Sequence, residues 1–334
     1  MMTQPDTQRT QTLGAPAIDT HAHFFPETYL DFLRDHGRPE SEIAIARGLG
    51  AGTSRSEIAA RLEWMDRAGV ASQVIAATPQ VPSLPDPTHA LHASRLVNDE
   101  YARIIDTYPG RFNGYGALPS PHVDEALKEI PRIFDELGFV GVSLPTMTIA
   151  SKQAGPQFLD EPALDPVWEA LNDYHAIVNI HPTGYAACSP MLSGSGLTWV
   201  NGAPVEDATA VLQLLKADVV RRFPQVRFHV AHLGGDVPFI AQRIEDNFED
   251  WQAFAHSPLE QLRTMYFGAA NFHEPSLILA AKTFGATQLL AGSDFPYFQR
   301  EKYLRAFDYI RGSRLSPEDI EVVLSGNAAR LYGY

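Results

Sequence analysis

Two histidines separated by a single residue are the first candidates for chemistry in this sequence. His21 and His23 lie in residues 17–24 (AIDTHAHF), a short β-rich run bounded by turn-forming residues. Side chains two residues apart on a β-strand leave the same face. Two imidazoles that point the same way can bind a divalent metal ion, although an isolated pair also occurs as ordinary surface or buried histidines.

Three further candidate ligands stand where other β-rich runs end. His181 and His232 end the runs AIVNIH and VRFHVAH, and Asp294 directly follows the run QLLAGS. Of the 12 histidines, only His21, His23, His181 and His232 have such a position. If the runs are parallel strands, their carboxyl ends meet at one edge and bring all five side chains to one centre.

Strand position also predicts the roles of three other polar residues, Asp19, His229 and His175. Asp19 shares the parity of His21 and is expected to orient a ligand by a hydrogen bond. His229 lies an odd number of residues before His232 and is expected to face the opposite side. His175 precedes its run, at the other end of the strand. We therefore expect His229 and His175 to be structural.

Eight β-rich runs alternate with segments of helical periodicity. The predicted strands are residues 17–24, 71–78, 112–118, 139–144, 176–181, 226–232, 264–269 and 288–293. The predicted helices are residues 56–67, 89–107, 122–137, 162–174, 208–223, 237–251 and 275–284, and a last one from Ser316 to about Tyr332. Ser56 and Ser316 are the predicted N-caps of the first and the last helix.

This alternation predicts the α/β class and a (β/α)8 TIM barrel. An open, doubly wound sheet is the alternative, but no GxGxxG follows the first predicted strand. We expect a disordered tail over residues 1–16 and a single barrel domain over residues 17–334. The long connections 25–55 and 182–207 are expected to form walls or lids of a site at the carboxyl ends of the strands.

Composition excludes several classes of function. The chain carries 26 Lys and Arg against 40 Asp and Glu, a formal charge of -14. Nucleic acid and anionic membrane surfaces are therefore not expected partners, and no apolar run approaches the ~20 residues of a spanning helix. The single cysteine, Cys188, cannot form an internal disulfide, which favours a reducing, cytoplasmic location.

Three imidazoles and one carboxylate suit zinc, with iron, cobalt or manganese as alternatives. Relatives of such barrels that hold two metals often bridge them with a carboxylated lysine on the fourth strand. Residues 139–146 (FVGVSLPT) contain no lysine. We therefore predict one divalent metal ion.

Four motifs in order, IDTHAHFFP, NIHPTG, VAHLGGDVPFIAQRI and LLAGSDFPYF, resemble the amidohydrolase-related decarboxylases. That group includes the aminocarboxymuconate semialdehyde, γ-resorcylate and 6-methylsalicylate decarboxylases. The resemblance covers residues 18–332, nearly the whole chain. It implies that His21, His23, His181 and Asp294 hold the metal and that His232 acts beside it as acid or base.

The resemblance also implies a substrate partner and an assembly. An arginine eleven residues after the sixth-strand histidine reaches the neighbouring subunit's pocket in the semialdehyde enzyme, and Arg243 has that spacing here. A homodimer is therefore expected, although a solvated helix face is an equal alternative for Arg243. His21 stands where γ-resorcylate-type members carry Glu, which favours the other two branches. Arg47 and Arg55 match no carboxylate-binding motif, which argues against the semialdehyde substrate.

Decarboxylation of a hydroxybenzoate or related unsaturated carboxylic acid is the resulting functional prediction. His232 or Asp294 would deliver the proton, and the sequence does not choose between them. The aromatic residues near the site suit a flat apolar substrate, although ordinary packing is the alternative for most of them: Phe24, Phe25, Trp199, Phe295, Tyr297 and Phe298. Of these, Phe295 and Trp199 are the predicted substrate contacts. Two alternatives stay open: a metal-dependent hydrolase of a lactone, ester or amide, and a non-catalytic metal- or ligand-binding barrel.

Overall fold

Eight parallel strands form the centre of the molecule, and each pairs with the next along the chain. The computed structural model describes residues 16–149 and 155–333. The strands are Ala17–His23, Val70–Ala76, Phe112–Ala117, Gly141–Pro145, Ile177–His181, Arg227–Val230, Tyr266–Gly268 and Leu289–Leu290. All eight lie where the sequence predicted them, with ends that differ by a few residues.

The first and eighth strands close the barrel through a seam of irregular hydrogen bonds. The backbone nitrogen and Oγ1 of Thr20 both donate to the carbonyl of Ala291, each at 2.9 Å. One isolated parallel bridge joins Ala22 to Phe295. The predicted (β/α)8 barrel is therefore confirmed, and its seam depends on few backbone contacts.

Helices surround the strands and cover their outer faces. The α-helices are Glu27–Asp35, Glu40–Ile43, Arg55–Ala68, Pro87–Thr107, Val123–Pro131, Asp165–Asp173, Pro190–Ser193, Ala203–Lys216, Val219–Arg222, Val237–Trp251, Pro258–Leu262, Glu274–Phe284, Glu301–Arg311, Pro317–Glu321 and Asn327–Tyr332. Three π-helical turns, Arg132–Glu136, Thr198–Gly202 and Val322–Gly326, adjoin them. No helix in the described part of the chain is long and apolar enough to cross a membrane.

Of the two N-caps predicted from the sequence, one is confirmed and one is wrong. Ser316 accepts a bond from Asp319 N at 3.1 Å and caps the helix as predicted. The cap predicted at Ser56 is wrong: Ser54 is the N-cap, in a capping box with Glu57. Since a serine followed three residues later by Glu satisfies two orphan backbone donors reciprocally, Ser54 is the better cap.

Several elements lie inside segments that were predicted as loops. Glu27–Asp35 lies in the connection after the first strand, and Glu301–Arg311 follows the eighth. Ala203–Lys216 begins five residues before the predicted position 208. A short antiparallel hairpin pairs Met147–Thr148 with Gln157–Phe158. The tail predicted over residues 1–16 lies almost wholly outside the described residues, and the division into tail and single domain stays a prediction.

Apolar side chains fill the barrel below the strand ends. A buried cluster joins interior residues of the strands to the last helix: Ile18, Val74, Ala76, Tyr115, Ile177, Leu290, Ala328 and Leu331. A much larger core packs the outer faces of the strands against the helices. The interior is thus a packed core, in which His229 is hydrogen-bonded to Tyr115 and Asn179, and the candidate ligands lie above it at the carboxyl ends of the strands.

Candidate metal centre

A bulge in the first strand directs its two histidines toward the barrel interior. Between Asp19 and Ala22 this strand advances three residues while the second strand advances two. Ile18, before the bulge, packs in the interior core, and His21, after it, lies among the other candidate ligands. One extra residue reverses the alternation of a strand, so both odd and even positions face inward here.

The bulge separates Asp19 from the face of the histidines, so the predicted shared face is wrong. Asp19 lies behind the strand, where its carboxylate accepts bonds from Ser293 N at 2.9 Å, Ser293 Oγ at 2.6 Å and Gln73 Nε2 at 2.7 Å. Asp19 therefore contacts the backbone next to Asp294 instead of a ligand ring.

Four buried side chains, from the ends of the first and fifth strands and from the loop after the eighth, meet at the mouth of the barrel. His21, His23, His181 and Asp294 each offer a ligand atom, and these atoms lie within 4.8 Å of one another. Asp294 Oδ1 is 2.9 Å from His23 Nε2 and 3.5 Å from His21 Nε2. The structure thus brings together the four ligands that the resemblance implied.

The nitrogen atoms of this cluster are arranged as ligands need to be. Both ring nitrogens of His21 and Nε2 of His181 are buried and have no hydrogen-bond partner among the described residues. His181 Nδ1 is 2.8 Å from the Pro182 carbonyl, to which it donates, so its Nε2 carries the lone pair. Burial lowers the pKa of His21 and of His181 well below the ordinary value. Neutral imidazoles with free lone pairs fit a divalent metal ion.

His232 lies beside the cluster and is held by an acid that the sequence reasoning missed. Its Nδ1 is 2.9 Å from Asp207 Oδ2, and its Nε2 is 3.8 Å from Asp294 Oδ2. Burial disfavours the charged ring, but the Asp207 carboxylate outweighs burial and raises the pKa of His232 to about 10. His232 is therefore oriented by Asp207 with one nitrogen toward the cluster.

Asp207 was missed because it was assigned to the end of a loop. It lies in the first turns of Ala203–Lys216, fully buried beside Glu206. Two adjacent acids within an apolar helical pattern (PVEDATAVL) were the available signal. Buried carboxylates are rare unless they are paired or hydrogen-bonded, so two on one helix indicate a function.

The orientation predicted for His229 is wrong. Its Nδ1 is 3.0 Å from the hydroxyl of Tyr115, an interior residue, so His229 also faces into the barrel, beneath the site. The sixth strand ends at Val230, and His232 has a positive φ of 47°. Strand alternation therefore does not extend from His229 to His232. Burial lowers the pKa of His229 to about 3, which fits the predicted structural role.

Two of the predicted aromatic residues, Phe25 and Tyr297, have rings against the cluster. Phe25 stacks on His23 with ring centroids 5.9 Å apart, and Tyr297 lies 5.4 Å from the same ring. The hydroxyl of Tyr297 is buried without a hydrogen-bond partner in the described residues. Phe25 and Tyr297 therefore form the apolar wall next to His23.

Phe295 and Trp199 lie elsewhere. The ring of Phe295 is 4.4 Å from the guanidinium of Arg61, in the core behind the strands. Trp199 is 39% exposed on the connection after the fifth strand, where its ring packs closely over Gly184. Packing accounts for the position of Phe295, and Trp199 is partly exposed at the surface. Their predicted contact with substrate stays a prediction.

Arg243 is exposed on the Val237–Trp251 helix. Among the described residues no carboxylate forms an ion pair with its guanidinium, and its backbone carbonyl accepts a bond from Asn247 Nδ2 at 2.8 Å. Phe239, one helical turn earlier, is 82% exposed. Within the described residues Arg243 thus presents an unpaired cation one helical turn from an exposed aromatic ring.

Comparison with known proteins places this site in a family. The sequence model described as amidohydrolase matches residues 18–334. A γ-resorcylate decarboxylase from Polaromonas sp. is 26% identical over 81% of this chain and 86% of its own length. A 6-methylsalicylic acid decarboxylase from Penicillium expansum is 27% identical over 94% of this chain and 95% of its own.

A solved structure has the same fold. It is a dihydroxybenzoic acid decarboxylase from Polaromonas sp. JS666 with bound manganese and the inhibitor 2-nitroresorcinol. It superposes with a TM-score of 0.81 at 23% identity and covers 96% of this chain and 97% of its own. At this identity the likeness establishes the barrel architecture alone.

The cluster predicts how metal content responds to substitution. His21→Ala, His181→Ala and Asp294→Ala should each lower the bound metal per chain, because each removes one of four ligands. His92→Ala, on an exposed histidine of an outer helix, is the matched control and should keep it. Elemental analysis after dialysis measures the content. Full occupancy in all three ligand variants would contradict the assignment.

Proposed function

Since this chain belongs to the amidohydrolase family, we propose that it is a metal-dependent decarboxylase of a hydroxybenzoate or related unsaturated carboxylic acid. The observation that carries the proposal is the pairing of His232 with buried Asp207, which places an oriented proton carrier 3.8 Å from the carboxylate of Asp294. The relatives named as hydroxybenzoate decarboxylases support the same chemistry.

We propose His21, His23, His181 and Asp294 as the holders of the ion. Three imidazoles and one carboxylate favour zinc, while the manganese in the structurally similar decarboxylase supports manganese as the alternative. When bound, such an ion supplies Lewis-acid polarisation and a template for the substrate carboxylate.

His232 is the proposed proton donor. Both carboxylate oxygens of Asp294 face histidines, His23 and His232, whereas His232 keeps Nε2 directed to the cluster. A proton from Nε2 adds to the ring carbon that carries the carboxylate. The bond to the carboxylate then breaks, its electron pair restores the aromatic ring, and CO2 leaves. His232 regains its proton from solvent, and Asp207 holds the imidazole ring of His232 in one orientation throughout.

Phe25 and Tyr297 are the proposed wall for the aromatic ring of the substrate. Their rings flank His23, and the unpartnered hydroxyl of Tyr297 can donate to a substrate oxygen. A buried hydroxyl without a partner is costly, so a substrate with an oxygen at that position gains binding energy there. This supports a hydroxyl-bearing substrate.

The arginines near the mouth argue against a substrate with a second carboxylate. Arg47 already contacts three acids, Glu27, Asp31 and Glu40, at 2.6 to 3.0 Å. Arg55 is exposed at the start of its helix. Neither offers a free guanidinium to the pocket, which supports a monocarboxylate over a dicarboxylate semialdehyde.

We also propose a homodimer in which Arg243 reaches the partner's pocket. Exposed apolar side chains lie on that helix and on the connection after the fifth strand: Phe239 and Met191 are 82% exposed and Val200 is 75% exposed. The start of this helix adjoins the end of that connection. Gly235, just before the helix, packs so closely on Pro204 that a Cβ at Gly235 would lie 2.0 Å from the Pro204 carbonyl. An apolar patch with an unpaired arginine is typical of a protein interface.

A substrate panel tests the proposed reaction. The metal-loaded protein should release CO2 from hydroxybenzoates with a hydroxyl next to the carboxylate. It should release far less from 3-hydroxybenzoate, whose hydroxyl is not adjacent to the carboxylate. CO2 capture and NMR of the ring product measure this. Acid release from lactones, with no CO2 from any hydroxybenzoate, would instead establish the hydrolase alternative.

Substitutions at His232 and Asp207 test proton delivery. His232→Asn should keep the metal and lower kcat on the order of 10²-fold or more. Asp207→Asn should lower kcat by less, with KM nearly unchanged, because it alters only the orientation and charge of His232. Steady-state kinetics with metal analysis measures both. Wild-type kcat in His232→Asn would assign the proton to Asp294.

Mixed dimers test the shared pocket. Arg243→Ala should weaken substrate binding and leave metal content unchanged. Mixing it with His232→Asn should restore some activity, because one pocket of each mixed dimer then holds both wild-type residues. Arg221→Ala, at an exposed arginine on another helix, is the control. Light scattering showing a monomer, or no recovery after verified subunit exchange, would contradict the shared pocket.

A further inference from the structure

Arg61 is a buried cation behind the metal cluster. It lies on the Arg55–Ala68 helix, is 2% exposed, and forms no ion pair with any carboxylate of the described residues. Its Nη2 donates to the backbone carbonyl of His23 at 2.6 Å, and its Nη1 donates to Gln73 Oε1 at 3.1 Å. Burying an arginine costs free energy, and burial lowers the pKa of Arg61 to about 10. A cost of this kind indicates that Arg61 has a specific structural role.

Two aromatic rings hold the Arg61 guanidinium in place. Its central carbon is 4.6 Å from the ring centroid of Phe24 and 4.4 Å from that of Phe295. Phe24 follows the ligand His23, and Phe295 follows the ligand Asp294. Only a planar guanidinium can contact both rings and still direct two donors to fixed acceptors, so lysine is no substitute.

The hydrogen bonds continue from Arg61 to the eighth strand. Gln73 Nε2 donates to Asp19 Oδ2 at 2.7 Å. Asp19 in turn accepts from Ser293 N at 2.9 Å and from Ser293 Oγ at 2.6 Å. Ser293 directly precedes Asp294. A continuous chain of hydrogen bonds therefore joins the backbone of His23 to the backbone next to Asp294.

We propose that Arg61, Gln73 and Asp19 form a positioning relay that sets the separation of His23 and Asp294. Backbone bonds also cross this seam, since His23 N donates to the Phe295 carbonyl at 2.7 Å and Asp294 N donates to the His21 carbonyl at 2.9 Å, but they fix the main chain and leave the second strand unconnected to the eighth. The relay spans the same seam from behind and acts through side chains that touch no ligand ring. It rests on the metal site of the proposed function, and its loss should loosen that site without removing a ligand.

Metal affinity, measured by competition with a chromogenic zinc chelator, tests the relay. Arg61→Met and Asp19→Asn should each weaken zinc binding by about 10–100-fold, the usual cost of losing an outer contact of a metal site. Arg61→Lys should not restore affinity. Arg67→Met, which removes an exposed arginine stacked 3.9 Å over Trp64 on the same helix, is the matched control and should bind as wild type does. Ser293→Ala removes the bond from Ser293 Oγ to Asp19 and should weaken zinc binding by a smaller factor. This variant tests the relay even if Arg61→Met does not fold.

The double variant Arg61→Met/Asp19→Asn separates a relay from independent effects. Its loss should be no greater than that of the weaker-binding single variant, because one chain of bonds is broken in either case. Losses that multiply would overturn the relay, as would wild-type affinity in both single variants while His21→Ala loses zinc. If the wild-type protein binds no zinc or manganese, the metal-dependent function is overturned together with the relay.

Discussion

Burial at the mouth of the barrel governs which groups there carry charge. His21 and His181 are kept neutral because burial lowers the pKa of each. Burial opposes ionisation of Asp294 too, but bonds from His23 and His232 hold its pKa well below the usual range. A divalent ion on three neutral imidazoles and one carboxylate leaves one net positive charge. A substrate carboxylate would neutralise that charge. Binding a carboxylate is therefore favoured, because a net charge is costly in a buried site.

The segment after the eighth strand is explained residue by residue by what it meets across the seam. A Cβ at Gly292 would lie 2.7 Å from the Cβ of His21, so only glycine lets the chain approach there. Ser293 satisfies the carboxylate of Asp19 with both its backbone nitrogen and its hydroxyl. Asp294 then faces the imidazoles. Three adjacent residues thus provide close approach, attachment and ligation.

The barrel and the ligand positions could be predicted because both follow from simple periodicity. Short β-rich runs alternating with helices placed every strand, and strand ends in a barrel share one rim. Three features could not. The bulge after Asp19 leaves no mark in hydrophobic alternation, and the turn at His232 ends alternation after His229. The partner of His232, Asp207, depends on a helix that starts five residues earlier than its apolar pattern suggested.

Glu206, the neighbour of Asp207, is buried and accepts bonds from Thr146 Oγ1 at 2.9 Å and from Thr183 N and Oγ1 at 2.6 and 2.7 Å. Thr183 lies at the start of the long connection after the fifth strand. One helical turn therefore holds that connection through Glu206 and orients His232 through Asp207. A displacement of Thr183 would therefore also strain the helical turn that orients His232.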